Sequence, residues 1–169
     1  MFFWRSLLVS TLLALSLSAS GNTGELKKCG EAKLTVLFWD IYESSLYTPT
    51  GQYHADIRPL RLEIKYLRKI DAKNLIEQTA KEWQAQGIED PRHELWLSTL
   101  ADLWPDVKEN DVLALSIIDS GSAAFTFNGE ALGVIEDPDF GRDFVGIWLS
   151  PNTTRPELRA ALIGEPSSG

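Results

Sequence analysis

Asn128-Gly129, set between two apolar runs, constrains the fold more than any other pair of residues in the chain. A two-residue hairpin turn that follows the twist of its strands needs positive φ at both positions, and Asn followed by Gly adopts it at little cost. With that turn, Phe127 faces Glu130 and Phe125 faces Leu132, so Phe125, Phe127, Leu132 and Val134 share one face. Asp119-Ser120-Gly121 supplies an earlier turn, which pairs residues 112–118 with residues 123–127. Residues 111–135 therefore form a three-stranded meander whose greasy face needs a cover.

The remaining pattern supplies that cover. Residues 32–47 are rich in β-branched and aromatic side chains, and their apolar positions switch parity. They read as one long strand, or as two broken by a bulge near Asp40 or Glu43. Residues 61–67 alternate, with Leu62, Ile64 and Tyr66 to one side and Arg61, Glu63 and Lys65 to the other, as a half-exposed strand does. Four amphipathic helices follow from periodicity and caps. The first has Asp71 as N-cap, the stripe Leu75, Ile76, Thr79, Ala80 and Trp83, and a stop at Gly87. The second starts at Asp90-Pro91, buries Leu95, Trp96, Thr99, Leu100, Leu103 and Trp104, and ends at Pro105. The third starts at Asp137-Pro138 and presents Phe140, Phe144, Ile147 and Trp148. The fourth opens on the capping-box pattern Thr154-Arg155-Pro156-Glu157 and stops at Gly164. The result is an α+β domain, an antiparallel β-sheet with helices layered on one face.

Residues 1–20 stand apart from this domain. Arg5 precedes an apolar run over residues 7–17, and Ser18-Ala19-Ser20 offers small residues for cleavage, the pattern of a secretory signal peptide. The run is too short to span a bilayer, so no stable membrane span is expected once it is removed. Residues 21–29 read as a loose tail, 30–164 as the domain and 165–169 as a second tail. Export implies a periplasmic or secreted protein. Cleavage after Ser20 removes one cation and no acid, which takes the net charge from −8 to −9. That balance, with no basic run, excludes nucleic acid as a natural partner. Cys29 is the only cysteine, so no internal disulfide supports the core. Oligomeric state is not legible.

An ordered set of segments carries a family likeness. They are Gly30-Glu31-Ala32-Lys33, Phe38-Trp39-Asp40-Ile41-Tyr42, Ser45-Leu46-Tyr47-Thr48-Pro49 and Leu62-Glu63-Ile64-Lys65-Tyr66-Leu67-Arg68. Leu103-Trp104-Pro105-Asp106, Phe127-Asn128-Gly129, Ile147-Trp148-Leu149-Ser150 and Leu158-Arg159-Ala160-Ala161-Leu162-Ile163-Gly164 continue it. Together they resemble the chalcone isomerase-like family in its bacterial exported branch. The resemblance implies an open-faced β-sandwich with a cleft between sheet and helices. In the plant enzymes of that fold an arginine at the start of the long strand contacts the ligand, and a threonine and a tyrosine assist an intramolecular cyclisation. In fatty-acid-binding relatives a basic residue and a tyrosine hold a carboxylate. Lys33 stands nearest the arginine, and it keeps the charge without the bidentate fork. Leu37 stands nearest the threonine and has no hydroxyl, although Thr35 shares its parity. Both departures count against isomerase chemistry.

The expected ligand contacts are accordingly Lys33, Thr35, Tyr42, Tyr66 and Arg68, with Phe38, Phe125, Phe127, Phe144 and Trp148 lining a pocket. Each has a plainer role: Lys33 as a solvated lysine, Arg68 in a surface pair with Asp71, the aromatics as packed core. No metal site or cofactor is expected. His54 and His93 lack ligand spacing, and the acidic stretch at residues 137–143 reads better as helix capping than as a calcium loop. Three functions remain open: a non-catalytic binder of a small hydrophobic carboxylate, an isomerase or lyase using Lys33 and a tyrosine, and an interaction module with a filled cleft. Intact mass of protein recovered from the cell envelope is expected to begin at Gly21. A mass that retains Met1 would contradict the cleavage.

Overall fold

The computed structural model describes residues 24–165, so the segment read as a signal peptide and the extreme C-terminal tail lie outside the described residues. Six strands, β1 (Lys27–Val36), β2 (Trp39–Thr48), β3 (Leu60–Tyr66), β4 (Val112–Ile117), β5 (Ala123–Phe127) and β6 (Glu130–Ile135), form one sheet in that order. Every neighbouring pair is antiparallel. Helices α1 (Ala72–Ala85) and α2 (His93–Leu103) intervene between β3 and β4, and α3 (Pro138–Leu149) and α4 (Pro156–Ile163) follow β6.

Alternation along the strands decides which face the helices cover. Leu60, Leu62, Ile64 and Tyr66 of β3 are buried, as are Leu113, Leu115 and Ile117 of β4 and Phe125 of β5. On the other face β1, β2 and β3 present Lys33, Glu43 and Lys65 in register, with Lys33 Nζ 3.8 Å and Lys65 Nζ 4.0 Å from Glu43. Arg61 Nε lies 2.8 Å from Glu63 Oε1 on the same face. Exposed pairs of this kind contribute little stability, but they keep the bare face of the sheet wetted.

Helix α3 is the centre of the cover. It buries Phe140, Asp143, Phe144, Val145, Ile147 and Leu149, and Asp137 caps it by accepting from Asp139 N at 3.0 Å. Trp83 of α1 donates its Nε1–H to the Asp143 carbonyl at 3.0 Å, which ties α1 to α3 through a buried bond. Phe140 and Phe144 stack at 5.5 Å, and Phe125, Trp96 and Trp104 meet them edge to face. Such edge-to-face contacts stabilise by about 0.5–1.5 kcal/mol each beyond their burial. Outside this layer, Arg92 joins Asp90, Asp137 and Asp139 at 2.6–2.9 Å. The acidic stretch expected to cap α3 is therefore also neutralised by an arginine, and no cluster of potential metal ligands occurs among the described residues.

Several expectations need correction. Residues 32–47 are not one strand. They turn back at Leu37-Phe38, and β1 pairs with β2 with a register shift at Leu34/Thr35. β1 also begins at Lys27, inside the segment read as a loose tail. Phe125 faces Gly133 rather than Leu132, because a bulge between Phe125 and Thr126 shifts the pairing. That shift turns Val134 outward, where it is exposed, and brings Gly133 under the Leu103 side chain. Leu95 is exposed, since α2 begins at His93 and rolls Trp96 and Leu100 inward instead. The Thr154 hydroxyl caps nothing in α4 and donates to Glu82 Oε2 at 2.7 Å. Arg68 does not pair with Asp71; Lys69 does, at 3.9 Å.

Gly30 marks the closest approach of helix to sheet. A Cβ there would overlap the Ala161 carbonyl oxygen and sit 2.7 Å from that of Leu162, both in the last turn of α4. Gly30→Ala is expected to lower stability by about 1–3 kcal/mol, read as a lower urea midpoint. Gly24→Ala, with nothing within 4 Å of the added carbon, is expected to leave the midpoint unchanged. Equal midpoints for both variants would contradict this packing.

Candidate functional site

The aromatic layer fills the space between helices and sheet beside β4 and β5, and the space beside β1, β2 and β3 stays open. There a cavity of about 470 Å³ lies between sheet and helices. Its floor is Leu34, Tyr42, Leu62, Ile64, Tyr66, Leu113 and Leu115, and its roof includes Leu75, Phe144, Ile147, Trp148 and Leu158. Phe125 and Trp104 close one end. That size falls in the range of about 300–1,000 Å³ typical of small-molecule sites. The solvent side carries Asn74, Gln78, Thr154 and Arg155, all exposed, and Val36 where β1 runs out.

Two phenols give the oily space its polar points. The Tyr42 hydroxyl accepts from Trp148 Nε1–H at 2.9 Å, which leaves its own proton free to be donated. Burial pushes the Tyr42 phenol up to about 12, with Glu82 adding to the rise and the Trp148 bond and Arg155 opposing it. Tyr42 is half-buried, and desolvation is the largest of the effects on its phenol. Burial pushes Tyr66 higher still, and the Tyr42 charge would add to it. The two rings meet edge to face at 6.3 Å. Both hydroxyls stay neutral at physiological pH and serve as hydrogen-bond donors, not as bases.

Arg155 is the one basic side chain lining the cavity among the described residues. It sits at the start of α4, held there by its backbone N–H, which donates to Thr153 Oγ1 at 3.2 Å. Glu82 is the acidic residue of the lining, and its oxygens are engaged: Oε1 accepts from Gln78 at 3.0 Å and Oε2 from Thr154 at 2.7 Å. These bonds hold the carboxylate at the rim and leave the arginine as the group that can attract an anion.

The structure brings Tyr42, Tyr66, Phe125, Phe144 and Trp148 together around this cavity and leaves the other expected residues out of its lining. Lys33 and Thr35 lie on the bare face, both bonded to Asp40, at 3.2 and 2.7 Å. The physical reason is parity: Leu34 and Val36 take the inward positions of β1. Arg68 lies with its guanidinium carbon 4.9 Å from the centre of the Trp39 ring, outside the cavity. Phe38 is 95% exposed at the β1–β2 turn, and Phe127 packs half-buried at the edge of the core. Sequence reasoning missed Arg155, because a charged residue between Thr154 and Pro156 looks like any helix start. It also took Trp104 as core only. Trp104 does line the cavity, and its Nε1–H is buried without a partner.

Comparison with known families identifies the family. The model of the family described as chalcone isomerase-like matches residues 16–164. A Haemophilus influenzae protein described as uncharacterized is 33% identical over 140 residues, covering 82% of this chain and 68% of that one. The crystal structure of an Arabidopsis thaliana fatty-acid binding protein matches with a TM-score of 0.63 at 12% identity, over 82% of this chain and 86% of that one. At that identity the likeness shows the fold.

A phenol whose folded pKa is raised adds stability that is complete below its unfolded pKa and is lost as pH rises through the folded value. Stability is therefore expected to fall between about pH 10 and pH 12, where unfolded tyrosines ionise and Tyr42 does not. Tyr42→Phe should flatten that alkaline limb in urea titrations, and absorbance at tyrosinate wavelengths should show one fewer late-titrating phenol. An unchanged alkaline limb would contradict the burial of this hydroxyl.

Proposed function

Because the chain belongs to the chalcone isomerase-like family, we propose that it is a binding protein which holds a small hydrophobic or amphipathic carboxylate, of fatty-acid type, in the cavity between sheet and helices. One observation carries the reading: a cavity of about 470 Å³, largely apolar in floor and roof, meets Arg155, the one basic side chain of its lining among the described residues, and the neutral phenols Tyr42 and Tyr66. The arginine fork matches a carboxylate, and the phenols donate where a charged partner is not needed. The Arabidopsis neighbour is a fatty-acid binding protein, which supports the ligand class by analogy of fold.

Binding without turnover fits the residues better than isomerisation. Leu37, the position nearest the family's threonine, is 85% exposed at the β1–β2 turn and outside the cavity lining. Lys33 is occupied on the bare face. The reading includes export to the periplasm or beyond, supported by the charged and apolar character of residues 1–20.

Titration with straight-chain acids is expected to show affinity rising about fourfold per methylene until the cavity is full, from about 0.8 kcal/mol for each buried CH₂. The acid should bind at least tenfold more tightly than its methyl ester, and Arg155→Ala should erase that preference while ester affinity holds. Failure of every acid to bind, or an acid preference that survives Arg155→Ala, would overturn the reading. Turnover of a chalcone would do so in favour of the isomerase.

A further inference from the structure

Leu37 and Phe38 form the two-residue turn between β1 and β2, and they are 85% and 95% exposed. Trp39 beside them is 62% exposed and Val36 39%. Three consecutive large apolar residues, Leu37, Phe38 and Trp39, thus project into solvent from the end of a hairpin, where turn chemistry favours Gly, Asn or Asp. Leu37 also has φ of +57°, a left-handed conformation that a bulky side chain adopts at a cost. Nothing in the packing of the domain requires apolar side chains there, so their use lies outside it.

We infer that this hairpin tip docks on the interface of a lipid bilayer, with Leu37 and Phe38 entering the acyl boundary and Trp39 and Arg68 at headgroup depth. Three observations select a bilayer over a protein. First, the patch is small and convex. A stable protein interface takes about 800 Å² and 20–30 residues from each side, far more than one turn supplies. A bilayer accepts a wedge without a matching surface. Second, the guanidinium of Arg68 sits 4.9 Å over the Trp39 ring, and an aromatic with a cation at its face suits the boundary between oil and water. Third, the tip is continuous with the cavity. Val36 and Ile41, which flank it in β1 and β2, line the cavity, so a lipid leaving the bilayer at the tip meets apolar wall at once. The net charge of −8 argues that attraction to anionic headgroups does not drive the contact. No helix of the described residues is long and apolar enough to cross a membrane, so this is attachment at the surface.

Docking stands apart from what the cavity holds. Its use, passing an amphipathic lipid to and from the bilayer, rests on the binding function proposed above.

The test uses the protein as recovered from its host and vesicles of phosphatidylcholine, with and without brominated acyl chains. Brominated vesicles are expected to quench a component of tryptophan emission that disappears in Trp39→Phe, a readout local to the tip whether or not residues 1–20 are retained. In protein lacking residues 1–20, Leu37→Ser with Phe38→Ser should lower vesicle partitioning at least tenfold, and anionic vesicles should bind no better than neutral ones. The double variant should bind acids in solution within twofold of the unaltered protein, so loss of docking and loss of cavity binding are read separately. Unfolding midpoints should not move, since both side chains are exposed. Quenching that is the same in Trp39→Phe, or partitioning that is unchanged in the double variant, would overturn the inference. So would dimerisation without vesicles that Phe38→Ser abolishes, which would assign the tip to a second copy of the chain.

Discussion

Everything distinctive in this molecule follows from a six-stranded sheet covered on one face only, by helices that do not fill the space beneath them evenly. The rings of Phe125, Phe140, Phe144, Trp96 and Trp104 interlock beside β4 and β5. Toward β1 and β2 the cover thins to α4, whose last turn lies directly on Gly30. Backbone held that close by a glycine fixes one edge of the roof, and the Trp83–Asp143 bond fixes another. Between those supports the apolar side chains of β2, β3 and β4 face a volume that no side chain fills. A dry packed interior would be more stable, and the open volume costs contacts that a guest would restore.

The polar groups around that volume divide by charge state. Burial raises the phenols of two tyrosines further above the physiological range, Glu82 is tied down by Gln78 and Thr154, and Arg155 stands at the rim. Such a set suits the binding reading proposed above, with the phenols as donors beside a cation.

The parts of the fold that were legible rest on local chemistry. Asn128-Gly129 has positive φ at both positions, 50° and 85°, and the Phe127–Glu130 pair beside it follows, before the bulge at Phe125/Thr126 shifts the rest. Asp137-Pro138 starts α3 and Gly164 ends α4 in the left-handed region. The β1–β2 turn was illegible because Leu37-Phe38 carries no turn residue, and its parity switch looked like a bulge. Lys33 stands in the cleft only by its likeness to the family's arginine position, whereas Leu34 and Val36 occupy the inward positions of β1. The tyrosines were legible as polar tips on an apolar face. Arg155 was not, since its place depends on how α4 meets α1, a tertiary fact that local spacing does not encode.

Whether the volume above β2, β3 and β4 is a lipid-sized binding site or a packing fault is tested most directly by isotope-filtered nuclear Overhauser spectra of the protein with a carbon-13-labelled straight-chain acid. Cross-peaks from the acyl chain to the methyls of Leu62, Ile64 and Leu115, with the carboxyl end near Arg155, are the predicted result. An acid whose cross-peaks fall only on surface side chains, with those three methyls silent, would contradict the binding site.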